Sequence, residues 1–156
     1  MTRFFRQFSV RLGALCAISA VTAVGQLPAP AFAQSADTAP QFQLDLNNAT
    51  TTDDGSCKLV FVATNSSGQN LTQTSYEVGV FDANGTVSHL LSMDFGALTN
   101  GKTRIVLFNL PGQTCENVSR IVINDLIACT MESGETSPAC ISGLATNTKT
   151  DIQFGT

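Results

Sequence analysis

The chain has 156 residues, a formal net charge of −4, 43% hydrophobic and 13% charged side chains, one His, no Trp and five Cys. That length holds one domain rather than two. The composition excludes a disordered acidic tail and a coiled coil, and the charge excludes a nucleic-acid partner, because nothing here would neutralise a phosphate backbone.

Residues 1–33 read as an export signal. Arg3, Arg6 and Arg11 make a positive start; residues 12–25 (LGALCAISAVTAVG) carry no charge; Pro28, Pro30 and Ala31-Phe32-Ala33 follow. This three-part pattern predicts cleavage after Ala33, with Gln34 becoming the first residue. The apolar run is shorter than the ~20 residues a bilayer core demands, so no membrane anchor is expected after cleavage. Cys16 lies in that run and leaves with it. Two Phe residues separate Arg3 from Arg6, so the paired arginines of the twin-arginine route are absent. The expected location is periplasmic or secreted. All 12 acidic residues but only five of the eight basic ones follow Ala33, which gives the remaining 123 residues a formal charge of −7. That charge favours solubility and disfavours DNA or anionic lipid headgroups as partners.

Residues 34–40 are small and polar and form a loose start to a single domain spanning 34–156. Residues 41–47 alternate, with Phe42, Leu44 and Leu46 on one face, and period two predicts a half-buried strand. Residues 48–56 (NATTTDDGS) carry turn chemistry. Residues 57–63 (CKLVFVA) are a dense apolar run that suits a central strand. A Ser/Gly/Asn loop covers 65–70, and 76–81 (YEVGVF) is a third strand closed by the Asn84-Gly85 hairpin signal. Residues 87–95, 104–110 and 119–129 supply three more strands, separated by the turn at 99–102 and the break at Pro111-Gly112. Residues 130–149 lack a clear period, and 151–154 offer a possible last strand. The main body is thus 40–129, with 130–156 a tethered, irregular tail. The predicted fold is all-β: an immunoglobulin-like antiparallel β-sandwich of six or seven strands.

Cys57, Cys115, Cys129 and Cys140 remain after cleavage. An even number in an oxidising compartment predicts two disulfides. No C-x-x-C occurs and the lone His89 is distant in sequence, which disfavours zinc and redox chemistry. Spacing alone does not choose the pairing. If strands from residue 57 onward alternate in direction, Cys57 and Cys115 fall at one end and Cys129 at the other. A Cys57–Cys129 bond would then exceed the ~7 Å limit on Cα separation. The favoured pairing is Cys57 with Cys115 and Cys129 with Cys140, the two bonds adding on the order of 4–7 kcal/mol.

The stretch Thr64-Asn65-Ser66-Ser67-Gly68, followed by YEVGVFDANG at 76–85, resembles FxLYD-type immunoglobulin-like domains over about 30 residues. The segments FQLDLNNA, the single Cys before LVFVATN, SYEVGVFDANGTVSHLL and SRIVINDLIAC are similar to short exported bacterial proteins labelled "Tat pathway signal sequence domain protein". The latter resemblance implies an exported protein without an assigned activity. Neither carries over catalytic residues.

Chemistry-bearing groups are sparse. His89 alternates with Leu91, Met93 and Phe95 and reads as an edge-of-core or surface residue, with no nucleophile motif beside it. Asp53-Asp54-Gly55 and Asp82-Ala83-Asn84-Gly85 are oxygen-rich and could attract calcium, but both fit ordinary turns. Met93, Met131 and His89 are soft copper ligands scattered along the chain. Glu132 and Glu135 fall in a polar loop. N-x-S/T triplets at Asn48, Asn65, Asn70, Asn84 and Asn117 read as turn chemistry. No phosphate loop, G-x-S-x-G or H-E-x-x-H is present, so no enzyme activity, cofactor or metal is expected.

The functional expectation is an exported, non-catalytic immunoglobulin-like module that binds an unidentified protein partner or scaffolds. The first alternative is a pilin-like self-assembling subunit, with residues 42–46 as a donor strand. The second is a calcium- or copper-binding exported protein.

Overall fold

Side chains two apart share one face of an extended chain, and two apolar faces of this kind bury each other. The computed structural model describes residues 41–156. The predicted export segment 1–33, with Cys16 and the expected cleavage site Ala33–Gln34, lies outside the described residues. Eight strands follow in chain order: β1 (Phe42–Thr51), β2 (Cys57–Asn65), β3 (Leu71–Asp82), β4 (Val87–Asp94), β5 (Thr103–Leu110), β6 (Val118–Met131), β7 (Leu144–Thr148) and β8 (Gln153–Gly155). The only helical turns among the described residues are 3₁₀ turns at Cys115–Asn117 and Pro138–Cys140. None of the described residues forms a helix long and apolar enough to cross a membrane.

The strands form two packed sheets, β5-β2-β1-β7 (sheet A) and β4-β3-β6-β8 (sheet B). The runs β1-β2-β5 and β4-β3-β6 follow the A-B-E and C′-C-F orders of immunoglobulin-type sandwiches. The tail departs from a purely antiparallel plan. Strand β7 lies parallel to β1, and β8 parallel to β6. Strand β7 falls in the stretch expected to be irregular: LATNT has one large apolar residue and so no readable alternation, and the ladder to β1 is what holds it extended.

Two further boundaries moved for physical reasons. Register shifts between Leu46 and Asn48, so parity reverses and Ala49 then stands opposite the buried Leu59. A bulge of this kind ends a period-two pattern without ending the strand, which is why residues 48–51 resemble a turn in sequence. Strand β3 begins at Leu71, ahead of the apolar run, because Leu71 is buried and exchanges backbone hydrogen bonds with Leu98.

Phe42, Leu44 and Leu46 from β1, Leu59 and Phe61 from β2, and Tyr76, Val78 and Val80 from β3 are fully enclosed. Phe61 packs edge-on against Phe95, Phe108 and Phe154, with ring centroids 5.8, 5.9 and 5.2 Å away. Each such pair adds about 0.5–1.5 kcal/mol beyond burial of its area. Cys57 is bonded to Cys115, and Cys129 to Cys140, with Cα separations of 4.7 and 6.1 Å. The first bond closes the end of the sandwich where β2 starts and β5 finishes. The second ties the tail to the far end of β6.

Candidate functional site

The groups singled out for chemistry are dispersed. Asp54 Oδ1 accepts from the Ser56 amide at 3.2 Å and from Thr52 Oγ1. These bonds, that from Thr52 foremost, hold its carboxyl below the usual range. Asp82 Oδ1 accepts from the amides of Asn84 and Thr86 at 2.8 and 2.9 Å. Both carboxylates are therefore engaged by their own turns. Glu132 accepts from Asn70 and Glu135 from Ser133. Met93 is enclosed opposite Tyr76, whereas Met131 stands opposite Leu71, five residues along β3. Among the described residues, no three of His, Cys, Asp or Glu converge as a metal would require.

His89 is half-buried on β4, with Nδ1 3.1 Å from Ser88 Oγ. The Ser88 hydroxyl donates to Gln113 Oε1 at 2.9 Å. Ser88 Oγ also lies 3.2 Å from the Val80 carbonyl, so two acceptors share its single proton. Asn65, one of the five triplet asparagines, is wholly enclosed. Its Nδ2 donates to the carbonyls of Gln69 and Leu98, and its Oδ1 accepts from Ser67. A shallow cleft of about 500 Å³ beside Cys115 is lined by Asn48, Glu116, Lys149 and Asp151. Glu116 accepts there from Thr51 at 2.9 Å.

The strand edges are more distinctive. Sheet A ends at β5 and β7, sheet B at β4 and β8. An open edge presents unpaired backbone N–H and C=O groups, and folds blunt it with brevity, bulges or charge. Strands β7 and β8 are short, at five and three residues. Strand β4 exposes Val87 and Leu90, but its pairing shifts register at Val80/Phe81. Strand β5 has eight residues, pairs with β2 in unbroken register and contains no proline. Arg104 is its single charge, and that side chain folds back so that Nη1 donates to the Ala97 carbonyl at 3.2 Å. The guanidinium lies where a side chain on Gly96 would stand, and Gly96 itself has φ +70°, so only glycine suits that position.

Alternation along β5 turns Val106, Phe108 and Leu110 toward the core and Ile105 and Leu107 outward. The outward pair is 66% and 60% exposed. Val62 and Val60 stand opposite them on β2. The result is an apolar stripe beside an open backbone edge. On sheet B the outward Phe81 is capped instead by Arg120, 4.0 Å above its ring. The chain-order reading marked 104–110 as a strand and missed the stripe. The available signal was the unbroken run Ile105-Val106-Leu107-Phe108: a strand with one covered face alternates, and this one does not.

No family model matches the chain, and no curated protein matches it. A solved structure described as the structural characterization of IrmA from Escherichia coli is similar, with 15% identity and a TM-score of 0.50. The alignment covers 67% of this chain and 89% of that one. At that identity the likeness concerns the fold, and it agrees with the two-sheet architecture.

Proposed function

We propose that the protein is an exported module, stapled by two disulfides, that binds protein without catalysis, and that the β5 edge of sheet A is its binding surface. The observation that carries this reading is the long, unbulged edge strand with Ile105 and Leu107 facing solvent. An extended partner segment can add to such an edge through backbone hydrogen bonds, with side-chain contacts supplying selectivity. Disulfides persist in oxidising compartments, which supports a location outside the cytoplasm. The pilin-like alternative with residues 42–46 as donor strand has less behind it, because β1 is paired on both sides, to β2 and to β7. The calcium and copper alternatives draw no support from the dispersed ligands.

The test is site-specific photocrosslinking in the cell that makes the protein. A photoreactive residue replaces Leu107, and in a control replaces the exposed Asn147 on β7. A discrete protein adduct at position 107 that is absent at 147 is the expected result. Equal or absent labelling at both positions would sink the reading.

A further inference from the structure

We propose that Asn84 is a self-modifying residue: the backbone nitrogen of Gly85 attacks its side-chain amide, and the asparagine becomes aspartate and isoaspartate with loss of ammonia. The fold selects this site over the other Asn-Gly pair, Asn100-Gly101.

The chemistry needs only water. A glycine after asparagine leaves the attacking nitrogen uncrowded, because no Cβ stands beside it. Water or hydroxide removes the Gly85 N–H proton. The nitrogen then bonds to Asn84 Cγ, the Cγ–Nδ2 bond breaks, and the departing nitrogen takes up a proton and leaves as ammonia. A cyclic succinimide remains. Water adds to either of its carbonyls and opens it. Opening at Cγ gives aspartate; opening at the backbone carbonyl leaves the chain running through Cγ as isoaspartate. Nothing is oxidised or reduced.

Both asparagines are exposed, so exposure does not separate them. Their restraints do. Neither side-chain atom of Asn84 bonds to any of the described residues. The tip is held only from within, by Asp82: its Oδ1 accepts from the Asn84 and Thr86 amides, and its carbonyl accepts from the Gly85 amide at 3.0 Å. A Cβ built on Gly85 would meet nothing within 4 Å, so the tip can rearrange without displacing another element. Asn100 is clamped from outside. Its Oδ1 accepts from the Gly68 amide at 2.9 Å, and its amide donates to Asn70 Oδ1 at 3.0 Å. The Gly101 nitrogen, which would have to attack, donates to the carbonyl of the wholly enclosed Asn65 at 2.8 Å. Freeing that nitrogen and turning the Asn100 amide onto it requires the 65–70 loop to open too. Local opening is least costly where few contacts must break.

Each conversion adds one negative charge irreversibly. Asn84 shares a polar cleft of about 440 Å³ with Ser88, His89 and Gln113, so the new carboxylate arrives on the wall of that cleft. Isoaspartate also lengthens the backbone of the hairpin between β3 and β4.

The experiment ages wild-type protein recovered after export, folded in mildly alkaline buffer and, in parallel, in urea with a thiol reductant. Peptide mass spectrometry, with fragmentation that distinguishes isoaspartate from aspartate, follows both sites. In urea the two sites should convert at comparable rates. In the folded protein Asn84 should convert at least about tenfold faster than Asn100. Acidifying the buffer should slow Asn84, since the attacking nitrogen must lose its proton. Asn100 keeping pace with Asn84 in the folded protein would overturn the proposal. So would an Asn84 that converts in urea but not in the fold, because the Asp82 turn would then protect it. Aspartate without isoaspartate at position 84 would mean direct hydrolysis and would overturn the attack by Gly85.

Discussion

The hydroxyl of Tyr76 donates to the carbonyl oxygen of Cys140 at 3.0 Å. Tyr76 stands in β3, an inner strand of sheet B, and Cys140 is the tail's half of the second disulfide. A side chain 1% exposed thus holds the returning tail from beneath while a covalent bond holds it from the side. Replacing Tyr76 with Phe leaves the Cys140 carbonyl unpaired in the interior, and should cost about 1–2 kcal/mol in urea unfolding.

Burial also pushes the Tyr76 phenol upward from its usual value of 10.0. A raised folded value means the native state keeps a proton that the unfolded chain releases. Stability from this source is intact below pH 10 and falls as pH climbs beyond it. Tyr76 is the only Tyr and there is no Trp, so phenolate absorbance reads this residue alone. The absorbance should rise together with the loss of far-ultraviolet strand signal. A phenolate appearing in still-folded protein would contradict this.

The two disulfides should differ in weight. Cys57–Cys115 spans 58 residues and Cys129–Cys140 spans 11. Loop-closure entropy assigns them about 4 and about 3 kcal/mol. Paired Ser replacements should lower the urea midpoint in that order, the Cys57/Cys115 pair more.

Asn65 ties its own loop to the 98–101 turn with all of its side-chain hydrogen-bonding capacity. Asn65→Ala removes one of two donors from each of the Gln69 and Leu98 carbonyls and the acceptor of the Ser67 amide, and should destabilise by about 1–3 kcal/mol. Asn65→Asp should be worse at neutral pH, since it turns a carboxylate toward those same carbonyls. Thermal melts of both variants decide the order.

Asp45 is buried in β1, with Oδ2 3.3 Å from Lys149 Nζ and Oδ1 without a partner. The lysine is largely exposed, so the pair is screened from one side. Lys149→Ala should cost about 1–2 kcal/mol by leaving a buried carboxylate alone. Asp45→Val should be neutral or stabilising, because Lys149 then returns to water and Val extends the Val62 surface beside it. A large destabilisation by Asp45→Val would show that Oδ1 is satisfied.

Local signals carried much of the fold. Phe42, Leu44 and Leu46 alternate because one face of β1 meets the core. Asn84-Gly85 marks the β3–β4 hairpin because the turn demands a positive φ, which Gly85 adopts at +79°. Four cysteines after a predicted export signal imply two covalent bonds, through the chemistry expected of that compartment rather than through shape. Tertiary structure decided the rest. Leu144–Thr148 is a strand because β1 offers a free ladder, not because LATNT prefers extension. Leu71, Thr74 and Ser75 are buried, with Leu98 and β6 paired to this stretch, although the run 71–75 reads as polar. Whether Ile105 and Leu107 are covered depends on strand order. Among the described residues they are open and β5 is last in its sheet, and an apolar residue in a sequence carries no record of whether another strand lies beside it.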